Sequence, residues 1–298
     1  MTAAPVAEIA RAISAASDQP FQVAGQSSIS GGCINQGLVL HGVDGRNYFV
    51  KLNQAEKLTM FEAEAAGLRE LMLAQAVRIP VPLAHGLAGG QSFLAMEWLD
   101  LRPLDHGEKS DRKLGEQLAI LHGATWHAFG WWRDNTIGST HQANPATNDW
   151  IQFYRDQRLR RQLDLAARNG ASNTLLASGE HLLASIQDYF PGYSPQPSLL
   201  HGDLWSGNVG VSEREPVLFD PAVYYGDRES DIAMTELFGG FSRDFYAAYN
   251  ANWPLDQGYP TRKWLYQLYH LLNHFNLFGG AYGRQSQGVI DRLLAELR

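Results

Sequence analysis

The amino-acid sequence predicts an α+β protein of two lobes: a small N-terminal antiparallel-sheet lobe with one main helix, and a larger, mostly helical C-terminal lobe. Short alternating apolar runs bounded by Gly, Asp or Asn are gathered in the N-terminal third. Beyond Leu101 the apolar residues recur mostly at helical spacing. The change falls at a linker, Asp100–Pro103, so the expected division is 1–99 and 100–298. A chain of 298 residues is long enough to give both lobes a substantial core.

In order, Met1–Ala16 reads as a short amphipathic helix. It lacks a basic leader segment and is interrupted by Glu8 and Arg11, so it does not read as a signal peptide. Phe21–Val23, Gly37–His41, Tyr48–Leu52 and Ser92–Trp98 read as strands. Leu58–Ala76 has helical spacing with Phe61, Leu68 and Leu71 on one face, and Pro80 and Pro82 end that pattern on the way into a strand. Helices are expected over Lys113–His122, Trp150–Ala167, Gly179–Phe190, Ile232–Tyr249, Thr261–Phe278 and Gly288–Leu297. Leu199–Val223 interrupts them as a loop with two short strands.

Composition narrows the class. With 45% hydrophobic and 18% charged residues the chain is globular and not disordered. A formal net charge of -7 argues against nucleic acid as the main partner, because phosphate neutralisation needs clustered Lys and Arg. No apolar stretch approaches a membrane span, and a single cysteine fits a reducing compartment, so a cytoplasmic protein with no membrane partner is expected.

The chemistry is concentrated in His201-Gly202-Asp203-Leu204-Trp205-Ser206-Gly207-Asn208, followed by Leu218-Phe219-Asp220-Pro221. Either piece alone is an ordinary turn or strand end. Together they set a candidate base, an amide and a second carboxylate in the order that metal-assisted phosphoryl transfer uses. Asp203 would orient a hydroxyl and accept its proton, while Asn208 and Asp220 would hold divalent ions, Mg²⁺ being expected. Upstream, Lys51 ends the alternating run Asn47–Val50, and Glu64 shares a helical face with Phe61 and Leu68. A carboxylate on an apolar face calls for a cation, and Lys51, held against the phosphates of ATP, is the candidate. Ser28–Cys33 holds Gly31 and Gly32 ahead of that strand and is expected to fold over the phosphates, although it lacks G-x-G-x-x-G spacing. Cys33 reads first as an inert buried thiol; the alternative is a redox-linked dimer through a disulfide between two chains. Met96, Glu97 and Leu99 close the last strand, where main-chain groups of Glu97 and Leu99 would meet an adenine.

This bilobal order resembles the protein-kinase-like superfamily, to which aminoglycoside phosphotransferases also belong. Within it the chain resembles the fructosamine kinase family, or ketosamine-3-kinases. The resemblance rests on Gly31–Asn35, Tyr48–Leu52, Phe61–Leu68, Phe129–Thr140, Asp149-Trp150 and His201–Asn208, then Tyr224–Glu229, Glu236–Phe241 and Leu272–His274, and so covers nearly the whole chain. It implies ATP-dependent phosphorylation of the sugar 3-hydroxyl of a ketoamine, on a glycated small amine or protein lysine, and hence deglycation. It also suggests that His274 faces the sugar. Trp205, two residues after the expected base, would stack on the sugar or its amine. His270 and His274 have zinc-ligand spacing on an expected polar face with Asn273, but no third ligand accompanies them.

The departures from protein kinases also inform. Gly202 stands where those enzymes carry an Arg, and only ten residues separate Asp220 from Asp231, which leaves no room for a long activation segment. A protein Ser/Thr kinase is thereby disfavoured. Two alternatives stay open: a kinase of an aminoglycoside, choline or a free sugar, and a nucleotide-binding pseudokinase that serves as an interaction module.

Overall fold

A computed structural model describes residues 3–29, 34–104 and 109–297. The expected turn residues Gly31, Gly32 and Cys33 lie outside the described residues. The N-terminal part contains helix α1 (Ala3–Ser17), strands β1 (Val23–Ile29), β2 (Gln36–Gly42) and β3 (Asn47–Gln54), helix α2 (Leu58–Leu73), and strands β4 (Pro82–Ala88) and β5 (Gln91–Glu97). The five strands form one antiparallel sheet in the order β1-β2-β3-β5-β4.

The period of two along β3 decides what reaches the site. Tyr48, Val50 and Leu52 join Leu38, Leu40, Phe93 and Ala95 against Ile9 and Ile13 of α1. Phe49 and Lys51 therefore point to the opposite face, where Phe61, Leu68 and Leu71 of α2 pack with Leu94 and Met96. Each of these fully buried apolar side chains contributes about 1.5–3 kcal/mol, so a one-residue slip of β3 is strongly disfavoured. α2 also belongs to the main core that runs through the helical part.

The linker is itself paired: β6 (Arg102–Pro103) adds to the hairpin of β10 (Val209–Ser212) and β11 (Glu215–Leu218). The helical part then comprises α3 (Lys109–Gly123), α4 (Trp150–Phe153), a π-helix over Tyr154–Arg160, α5 (Arg161–Arg168), α6 (Asn173–Ala184), α7 (Glu229–Leu237), α8 (Arg243–Asn252), α9 (Tyr259–Phe278) and α10 (Tyr282–Glu296). Two small antiparallel pairs complete it, β7 (Asn135–Ile137) with β8 (Thr140–Gln142) and β9 (Ser198–Leu200) with β12 (Tyr224–Gly226).

Three expectations are corrected. The helix expected over Ile232–Tyr249 is two helices, because Gly239 and Gly240 between them take φ of 72° and 94°, outside the helical region. The helix expected over Gly179–Phe190 ends at Ala184 and gives way to a short 3₁₀ turn. β1 runs on to Ile29, so Ser28 and Ile29 belong to the sheet and not to a turn.

Candidate active site

A cleft of about 680 Å³ lies between the sheet and the helical part. It is lined by Lys51, Glu64, Met96, Glu97, Leu99, Asp203, Trp205, Asn208, Asp220 and His274, so every described residue expected at the site reaches it. At its inner end Lys51 Nζ lies 2.5 Å from Glu64 Oε1 and 2.5 Å from Asp220 Oδ1. Burial works against the Lys51 ammonium, but the charges of Asp220 and Glu64 outweigh it and hold its pKa above the ordinary value. Glu64 is pushed up by burial, and Lys51 pulls the other way.

The loop that begins at His201 is fixed through its backbone N–H groups. Asp231, at the start of α7, accepts the N–H groups of His201 at 2.7 Å and Gly202 at 2.9 Å and is braced behind by His122. His201 donates from Nε2 to the Phe219 carbonyl at 3.0 Å and accepts the Asp203 N–H at Nδ1, which sets one neutral tautomer. Gly202 has φ of 82°, and a Cβ there would stand 2.1 Å from the Ala222 carbonyl oxygen. This close approach explains why glycine occupies the position.

Asn208 Nδ2 donates to the backbone and side-chain oxygens of Asp203 at 2.9 and 3.2 Å and to the Asp220 carbonyl at 3.4 Å. That use of the NH₂ leaves the amide oxygen as the acceptor available to a cation. Asp203 is pushed up to about 7, chiefly by withdrawal from water, against the Asn208 hydrogen bond and with the charges of Asp220 and Asp231 adding. Asp220, at φ of 57°, turns its backbone carbonyl to the same amide and its carboxylate to Lys51. These are hard oxygen donors, which fits Mg²⁺ better than zinc. Among the described residues no three His, Cys, Asp or Glu side chains converge as a metal site. An ion here needs phosphate oxygens to complete its shell, as is usual for Mg²⁺.

The outer wall is aromatic. Trp205 meets Phe238 edge-on at 6.4 Å, and His274 lies 5.0 Å from Phe238, 5.7 Å from Phe278 and 5.0 Å from Tyr282. His274 Nδ1 donates to the His270 carbonyl at 2.8 Å, which leaves Nε2 as an acceptor, and burial lowers its pKa. The expected polar face is corrected: His270 and Asn273 are buried, because α9 is covered on that side by the π-helix and α5.

Several lining residues were given no site role in the sequence, although most lie in segments quoted there: Phe49, Thr136–Gly138, Phe219, Phe238, Phe278 and Tyr282. Alternation with Lys51 would have found Phe49. The β7–β8 hairpin was marked only by the resemblance over Phe129–Thr140, which gave it no role. The Glu97 carboxylate is taken by Arg78 and the Val81 N–H, and its own N–H by the Val81 carbonyl, so neither remains for a ligand.

A family model described as fructosamine kinase matches residues 5–296. A Synechocystis protein named "probable ketoamine kinase" is 47% identical over 294 residues, spanning 98% of this chain and 97% of its own. A chloroplastic protein-ribulosamine 3-kinase of Oryza sativa is 40% identical over 281 residues, spanning 93% and 81%. Among solved structures, a candidate fructosamine-3-kinase from Haemophilus somnus superposes with a TM-score of 0.87 at 28% identity, covering 96% of both chains. An aminoglycoside phosphotransferase, APH(4)-Ia, superposes at 0.63 with 15% identity over 96% of this chain and 98% of that one, which shows the shared protein-kinase-like fold.

Proposed function

The chain belongs to the fructosamine kinase family, and we propose that it transfers the γ-phosphoryl group of ATP to the sugar 3-hydroxyl of a ketoamine, a fructosamine- or ribulosamine-type adduct of a small amine or a protein lysine. The observation that carries this reading is one cleft with two unlike ends. Lys51, Glu64, Asp203, Asn208 and Asp220 cluster at the inner end, and Trp205, Phe238, His274, Phe278 and Tyr282 wall the outer end.

Lys51 neutralises phosphate charge, and Glu64 keeps the ammonium in place. Asn208 and Asp220 hold Mg²⁺, which when bound offsets the charge that develops as ADP leaves. Asp203 aligns the acceptor hydroxyl and takes its proton; a carboxylate pushed up to about 7 is a better base than an ordinary one. Backbone groups of Glu97 and Leu99 receive the adenine. The Trp205 ring stacks on the sugar, and His274 Nε2 accepts from a sugar hydroxyl. Among the described residues the aromatic outer wall carries no carboxylate, which suits an acceptor with one amine better than a polycationic aminoglycoside. The 3-phosphorylated product is unstable and sheds the sugar, so the outcome is deglycation. Among the described residues no helix is long and apolar enough to cross a membrane; a cytoplasmic site of action is part of the proposal.

ATP consumption over a panel of ketoamines, aminoglycosides, choline and free sugars, with phosphate position read by NMR, tests the reading. We expect a 3-phosphate on a ketoamine, and a preference for any other acceptor class would replace it. Asp203→Ala is expected to lower kcat about 10²–10⁴-fold while the protein stays folded; near-normal turnover would remove Asp203 as the base.

A further inference from the structure

Arg158 is a fully buried cation that the proposed chemistry leaves unused. It sits in the π-helix, a rare conformation often found at functional sites. Its guanidinium lies 4.1 Å from the Tyr224 ring centre, 4.6 Å from Phe153 and 5.8 Å from Tyr269. Among the described residues its hydrogen bonds go to neutral oxygens: Nη1 to the carbonyls of Ala143 at 2.8 Å and Gln157 at 3.3 Å, and Nη2 to Asn144 Oδ1 at 2.7 Å.

That last bond begins a chain with a direction. A guanidinium only donates, so Asn144 must turn its oxygen to Arg158 and its NH₂ away. The Asn144 NH₂ donates to Asn135 Oδ1 at 3.0 Å, so Asn135 in turn must offer its own NH₂, which reaches the Val223 carbonyl at 2.7 Å. Gln142 Nε2 donates to the same Asn135 oxygen at 2.9 Å and to the Ala222 carbonyl at 3.1 Å. Its Oε1 is fixed by the Tyr269 hydroxyl at 2.6 Å. Ala222 closes the circuit by donating its N–H to His201 at 2.8 Å, two residues before Asp203.

We propose that Arg158 is a positioning residue for the phosphoryl acceptor. Its one-way donor chain sets the β7–β8 hairpin, whose Thr136, Ile137 and Gly138 line the cleft, in register with the segment that carries Asp220 and with the catalytic loop. The aromatic cage is part of the device. It stabilises the charge through the ring faces and leaves the N–H groups for amide and carbonyl oxygens, which a carboxylate partner would have taken.

The inference rests on the acceptor proposed above, so wild-type turnover of a ketoamine is measured first; its absence would sink that reading and not this one. Arg158→Lys keeps the charge but loses the planar fork. Per folded enzyme, we expect the acceptor KM to rise about 10-fold, with the KM for ATP within about 2-fold and more ATP hydrolysed per phosphoryl transferred. Tyr269→Phe keeps the ring over Arg158 and removes the hydroxyl that meets Gln142 and Gln162, and should shift both quantities in the same direction by less. A second readout needs no acceptor: amide hydrogen exchange over 135–142 and 220–224 should quicken about 10-fold in Arg158→Lys and stay unchanged in α10. A merely structural role predicts less folded protein, uniform exchange changes and unaltered KM values. Wild-type acceptor KM and local exchange in Arg158→Lys would overturn the proposal; if that variant does not fold, the same outcome in Tyr269→Phe would do so.

Discussion

Lys51 and Arg158 are both buried cations within one molecule, and their surroundings share nothing. Lys51 is gripped by two carboxylates, one of them on a segment that ends in the cleft. Arg158 is enclosed by three aromatic rings and neutral oxygens. Carboxylates hold an ammonium charged, but another anion can replace one of them, so Asp220 can be released when phosphate arrives. Ring faces and carbonyls cannot be exchanged in this way. The first arrangement suits a charge that must engage a ligand, and the second a charge that must never move.

The largest effect should come from breaking the exchangeable site. Lys51→Met is expected to lower kcat about 10²–10³-fold at saturating ATP. It also leaves Glu64 buried without its partner, at a stability cost of about 2–4 kcal/mol by urea denaturation. Removing both partners, in Lys51→Met with Glu64→Leu, should recover most of that stability and none of the activity. A double variant no more stable than the single one would mean that the pair is not coupled.

Arg158 should respond in the opposite sense. Arg158→Met strands Ala143 O and Asn144 Oδ1, and no acid is left behind for a second substitution to remove. A loss of about 2–4 kcal/mol is expected, with no apolar partner change that restores it. Recovery through Asn144→Leu would show that the polar chain is dispensable and would erase the contrast.

The two sites were also unequally legible. Lys51, Glu64, Asp203, Asn208 and Asp220 could be read because each is a polar residue in a local pattern that does not explain it, and because their order along the chain is informative. Arg158 was hidden in Arg155-Asp156-Gln157-Arg158-Leu159-Arg160-Arg161, inside the helix expected over Trp150–Ala167, where nothing sets it apart from its charged neighbours. The π-helical geometry that carries it inward has no sequence periodicity of its own. Phe238–Phe241 was misread for a related reason: its apolar residues keep helical spacing, and the two glycines that break the helix act through φ alone. The strands were easier. Alternation put Lys51 on one face of β3, and the sheet does the same.

His270 is a third buried base, and it shows what happens when neither device is supplied. Among the described residues it has no carboxylate or carbonyl hydrogen-bond partner, and its Nδ1 is buried without a hydrogen bond. Burial first, then His274, push its pKa down to about 3 against the pull of Asp231, with Arg158 adding a smaller push in the same downward direction. It therefore stays neutral in the folded protein, whereas in the unfolded chain it takes up a proton near pH 6.5. Because the unfolded state binds more protons between those values, the stability His270 allows is complete above pH 6.5 and is lost as pH falls toward 3. Between pH 7 and pH 5 this amounts to about 1–2 kcal/mol. His270→Gln should remove that part of the slope, so the fall in Tm over this interval should be about 3 °C smaller than in the wild type. An equal fall in both proteins would place a proton on His270 in the folded state, and with it a partner for the charge.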